Sequence, residues 1–176
     1  CQRRYFHEME ESMKKIYEVG GFLNRNFVGQ ISYTICLDQE YEEMDIRFSF
    51  DKQRYTSVTE ELKQEVLAEC SEEYTSLIRS DKELTEMIKG MKTEINTIVT
   101  MNDTFIGGIH RQLADRHMYF SEKQASDGCI LQKSIHGVVK ITLIVFNVLR
   151  DETHYTLSLS VNAKPTGNKH EETHYI

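Results

Sequence analysis

The chain has 176 residues, 39% hydrophobic and 28% charged, with a formal net charge of −7. Those values describe one globular domain able to bury a core without metal or disulfide staples. They argue against non-specific nucleic-acid binding, which needs clustered Lys and Arg to displace counterions. The longest apolar run, residues 138–149, contains Lys140 and is too short to cross a bilayer as a helix, so direct membrane insertion is not expected.

The charge is unevenly spread. Residues 1–100 hold 20 acids against 13 bases, while residues 101–176 hold 8 of each.

At the N-terminus, Cys1-Gln2-Arg3-Arg4 runs into a helical pattern with no flexible spacer. Two origins fit: a lipidated first residue, or a domain excised from a longer chain. The missing tether favours excision. Phe6, Met9, Met13, Ile16, Tyr17 and Gly20 recur at helical spacing over residues 4–24, which predicts an amphipathic helix within an N-terminal segment 1–26. Because that helix precedes the compact fold, it is the expected surface for a protein partner or homo-oligomer.

Residues 27–37 and 44–50 alternate apolar and polar side chains. The second run is the cleaner, with Met44, Ile46, Phe48 and Phe50 against Asp45, Arg47 and Ser49. The pattern predicts two half-buried strands joined as a hairpin through residues 38–43. The acids Asp38, Glu40, Glu42, Glu43 and Asp45 cluster there, but a calcium loop would need a glycine for its sharp turn, and the stretch has none. It reads as a solvated hairpin tip.

Two helices are expected next. Ser57-Val58-Thr59-Glu60 and Ser80-Asp81-Lys82-Glu83 both match a capping box, and each precedes an apolar run at steps of three and four. The first run ends near Leu77; the second reaches Val99. Short strands follow at residues 104–109, 117–120 and 129–131. Residues 138–149 are apolar on both faces and read as a central strand covered on both sides. Tyr155, Leu157, Leu159 and Val161 alternate with polar residues in a last strand. Residues 164–176 are polar and read as a disordered tail.

These elements compose an α+β domain over residues 27–163. It would hold a single antiparallel sheet of about five or six strands, with a long helix pair between an N-terminal hairpin and a C-terminal strand run. Over residues 28–163 the order is similar to that of PAS, GAF and profilin-like domains. The resemblance is one of element order and implies a fold, not a function.

Chemistry is sparsely signalled. The densest polar stretch lies between two predicted strands and offers His110, Arg111, Asp115, Arg116 and His117 as ligand-contacting residues behind Gly107-Gly108. Arginines there suit an anion, and His with Asp suits acid–base work. The glycine pair suggests a bulge or a close backbone approach. There is no Walker A pattern, dinucleotide glycine fingerprint, HExxH or GxSxG, and no His/Cys spacing typical of zinc. No catalytic residue, metal or cofactor is assigned. Cys1, Cys36, Cys70 and Cys129 form no CxxC pair and read as reduced, mostly buried thiols, which leans toward a cytoplasmic location.

Three functions fit. The first is a non-enzymatic binding or regulatory module for a small molecule or protein, part of a larger or oligomeric protein. The second is a small enzyme using His110, Asp115 and His117. The third is a surface lipoprotein anchored at Cys1.

Overall fold

The computed structural model describes residues 13–109 and 113–163. It is mostly β. Eight strands form two antiparallel sheets of four. The strands are β1 (Lys14–Leu23), β2 (Gly29–Cys36), β3 (Glu43–Phe50), β4 (Glu94–Met101), β5 (Thr104–Ile109), β6 (Asp115–Phe120), β7 (Val138–Asn147) and β8 (Thr153–Asn162). The first sheet has the order β1-β8-β3-β6 and the second β2-β7-β4-β5.

This overturns the single sheet with a long helix pair. The inner faces of the two sheets meet in one core. Met44, Ile46, Phe48, Leu157 and Leu159 come from the first; Ile95, Val99, Ile141 and Leu143 come from the second. Each strand turns an apolar face inward, and a second sheet covers it where a helix pair was expected.

Four further expectations change. Residues 14–23 are strand, not helix, and pair with β8; residues 1–12 lie outside the described residues. Tyr17, Val19 and Leu23 carry an alternation that competes with the helical spacing, and Gly20-Gly21 weakens a helix there. The strands β2 and β3 exist but form no hairpin. Residues 37–42 carry the chain from one sheet to the other, so β2 pairs β7 while β3 pairs β8 and β6. The second predicted helix stops at Gly90, and residues 94–101 become β4. Thr93, Ile95, Thr97, Ile98, Val99 and Thr100 are β-branched, which suits a strand better than a helix. Finally, β7 is covered on one face only. Val139, Ile141 and Leu143 are fully buried, whereas Phe146 is 52% exposed on the outer face.

The helices α1 (Glu60–Glu69), α2 (Glu72–Thr75) and α3 (Asp81–Gly90) belong to an insertion between β3 and β4. Val66, Leu84 and Ile88 form its own small core, separate from the main one. Ser80 caps α3 by accepting from the Glu83 N–H at 3.2 Å, while Glu83 accepts from the Arg79 N–H at 2.8 Å. For α1 the cap is Thr59, accepting from Leu62, rather than Ser57. Arg25 ties the insertion to the sandwich through Glu69 (2.8 Å) and Glu65 (3.5 Å), and Tyr55 donates to the Leu149 carbonyl.

Residues 121–137 plug one side of the sandwich. The Ile130 N–H donates to Ile106 O (2.8 Å) and the Gly108 N–H to Gly128 O (3.1 Å), along the free edge of β5. The Ser126 N–H donates to Tyr119 O (3.0 Å) on β6. The predicted strand at 129–131 is thus an isolated bridge, Cys129 to Gly107. A Cβ on Gly107 would lie 2.8 Å from Cys129 Sγ and 3.0 Å from the Phe120 ring, so the close backbone approach expected of the glycine pair is present.

Candidate binding face

The polar side chains of the first sheet share its outer face because strand side chains alternate. The registers set three cross-sheet rows, reading from β1 through β8 and β3 to β6. They are Lys15–Ser160–Asp45–Tyr119, Glu18–Ser158–Arg47–His117, and Gly20–Thr156–Ser49–Asp115. The hydroxyls of Thr156, Ser158 and Ser160 form a low floor along β8. Lys15 and Glu18, which pair with each other, stand on one side, and Asp45 and Arg47 on the other. Together they line a shallow depression of about 460 Å³.

Two diagonal pairs order the wall. Arg47 Nε and Nη2 donate to the two carboxylate oxygens of Asp115, at 3.0 and 2.8 Å. This bidentate grip holds the Asp115 carboxyl below its ordinary range. The His117 Nδ1–H donates to Asp45 Oδ2 at 2.9 Å. Asp45 is only 9% exposed, and among the described residues its Oδ1 has no hydrogen-bond partner. A buried carboxylate oxygen left unpaired costs stability, so this atom is the chemical anomaly of the face.

Of the five ligand residues expected from sequence, Asp115 and His117 lie on this face. His110 and Arg111 lie outside the described residues. The strand expected from residue 117 begins at Asp115, so Asp115 and Arg116 belong to β6 and not to a loop, and Arg116 points the opposite way, into the core. It is 3% exposed, its Nε donates to Leu113 O at 3.0 Å, and its guanidinium sits 5.3 Å from the Phe48 ring centroid. Burial pushes its pKa down to about 10. Among the described residues its two Nη atoms are unpartnered.

Sequence reasoning missed Asp45, Arg47, Glu18 and the β8 hydroxyls as one surface. Their signal was the polar half of each alternation, which reads as a solvated face until pairing places the strands side by side. Among the described residues no group of three His, Cys, Asp or Glu side chains is placed to hold a metal, and no helix is long and apolar enough to cross a membrane. Cys36, Cys70 and Cys129 are free thiols, with Cys36 exposed rather than buried.

No curated protein matches the chain by sequence. A family model matches residues 13–166, from the start of β1 past the end of β8, and by that match the chain belongs to a family of unknown function, DUF6669.

Proposed function

We propose that the chain is a non-enzymatic binding module that takes a small polar ligand on the outer face of the first sheet. The observation that carries this reading is Asp45. It lines the depression, is nine-tenths buried, and keeps one carboxylate oxygen without a partner among the described residues. Oδ1 is itself enclosed, so a ligand O–H or N–H donor would supply the missing bond by turning the carboxylate toward the depression, and a bond to a charged acceptor is among the stronger ones. The β8 hydroxyls both donate and accept, so they suit a ligand bearing several hydroxyl or amine groups. Lys15 and Arg47 on the rim, beside Glu18 and Asp115, favour no large net charge on that ligand.

The geometry supports binding better than hydrolysis. His117 with Asp45 resembles an acid–base pair, but Tyr119 is held by Glu43, Ser49 stands opposite Asp115, and the hydroxyls that floor the depression, Thr156, Ser158 and Ser160, sit on β8, two strand spacings from β6. That is about 10 Å, beyond hydrogen-bond reach of the imidazole.

Amide chemical-shift mapping with a library of small polyols and amines tests the proposal. Perturbations should cluster at residues 45–49, 115–119 and 156–160. Clustering on another surface, or none at millimolar fragment, would remove the reading.

A further inference from the structure

Four strand edges bound the two sheets, and three are guarded. The β5 and β6 edges are occupied by residues 125–130 through the bonds described above. The β1 edge carries Lys14, Lys15 and Glu18 and is broken by a bulge between Lys15 and Tyr17. Charges and bulges of that kind are what proteins use to block edge pairing. The fourth edge, β2, has none of these devices. Its sequence Gly-Gln-Ile-Ser-Tyr-Thr-Ile-Cys is eight residues long, has no charge and no proline, and keeps an unbroken register with β7. Among the described residues, no backbone hydrogen bond from outside the sheet reaches it.

The seam beside this edge is also open. Ile16, Tyr17 and Val19 of β1 and Ile31, Tyr33 and Ile35 of β2 are all only partly buried against the core. The Tyr17 and Tyr33 rings lie 6.4 Å apart across it. On the plugged side Ile109, Ala114 and Cys129 are partly buried, but Ile106, Met118, Phe120 and Ile135 are no more than 2% exposed. Among the described residues, one seam of the sandwich is plugged and the other is left half-covered, next to the one unguarded edge.

We propose that β2 pairs antiparallel with β2 of a second copy of this chain, joining the two second sheets into one continuous eight-stranded sheet across a twofold axis. The strand is self-complementary. With Ser32 on the axis, Gln30 faces Thr34 on the solvent side, and Ile31 faces Tyr33 on the seam side. A β-branched residue beside an aromatic is a favourable cross-strand pair, and no like charges meet. The alternative axis at Tyr33 would crowd two rings whose hydroxyls are each already held by Tyr155 of their own copy, at 2.6 Å. Charge favours this contact too. In a chain of net charge −7, an uncharged strand is the surface on which two copies repel least. The footprint is the eight residues of β2 with a few from β1, fewer than the roughly 20–30 residues a side of a standard interface, so the dimer is reversible.

Sedimentation equilibrium of the full chain, from about 1 µM to about 1 mM, reads the dissociation constant across the range expected of a weak interface. Ser32→Glu and Ser32→Lys, each on the solvent face, should each weaken dimerisation at least about tenfold by placing like charges directly opposite. Mixing the two variants should restore a mixed dimer. Ser32→Cys should cross-link to itself under mild oxidation, because directly opposed strand residues lie within disulfide range. Thermal unfolding of each variant separates lost pairing from lost folding. A wild-type monomer throughout the range overturns the proposal, as does a dimer indifferent to Ser32→Glu. Slow hydrogen exchange at those β2 amides that point away from β7, in a monomer, also overturns it, since another segment would then occupy the edge.

Discussion

Arg116 and Asp45 are buried charges on opposite faces of adjacent strands, and their surroundings give them different consequences. Among the described residues, Arg116 packs on Phe48 with one hydrogen bond and two unpartnered nitrogens. Its folded pKa lies below that of the free side chain, so the buried charge opposes folding at every pH below about 10. Arg116→Met should therefore leave stability unchanged or raise it by up to about 2 kcal/mol, read as the denaturation midpoint in urea at constant slope. A large loss would show that the charge is used. For Asp115 the sign is the reverse. Arg47 lowers its folded pKa, so its contribution is present above the unfolded value and fades as pH drops below about 4. Both partners are half-exposed, so solvent screens the pair; Asp115→Asn should flatten the acid limb of the stability profile only slightly. Gly107→Ala should cost about 2 kcal/mol by overpacking Cys129 and Phe120. Cys129→Ala should restore part of that loss, as expected for two groups in contact.

Among elements, the insertion α1–α3 stands apart. It has its own three-residue buried core and joins the sandwich mainly through exposed or half-exposed polar contacts such as Arg25 with Glu65 and Glu69. Few shared apolar contacts mean that it opens without the sheets. Hydrogen exchange should find its helical amides protected by less than the global unfolding free energy, and those of β3, β7 and β8 protected by nearly all of it. Ser80→Ala, which removes the α3 cap, should lower protection within α3 by about 1 kcal/mol and leave the sheets unchanged. The cap at Ser80 was legible because capping is local chemistry. The alternations at 29–36, 43–50 and 153–162 were legible for the same reason. Residues 14–23 were not: both periods fit them, and the partner that decides, β8, lies more than a hundred residues away. Residues 94–101 were mistaken because Ile95, Ile98 and Val99 sit at helical steps, although the β-branched density around them favours extended backbone.

For the whole molecule, single-strand patterns could not reveal that each sheet covers the other, nor that the wet half of β3 and the wet half of β8 stand side by side. The candidate face was therefore half visible. Asp115 and His117 were picked out by composition, whereas Asp45, Arg47 and the β8 hydroxyls emerge only from strand order. The resulting sandwich separates its tasks by surface: a plugged seam, an open edge at β2, and a polar face built around an unsatisfied carboxylate. Sites kept for ligands commonly cost stability, and Asp45 is the residue at which that trade can be read. The most direct measurement is a paired one on Asp45→Asn, comparing thermal unfolding at neutral pH with fragment-induced amide shifts on the same samples. The Tm should equal or exceed that of wild type, and the shifts at residues 45–49 and 156–160 should be lost. A Tm several degrees lower with the shifts intact would make Asp45 a structural residue and contradict the binding face.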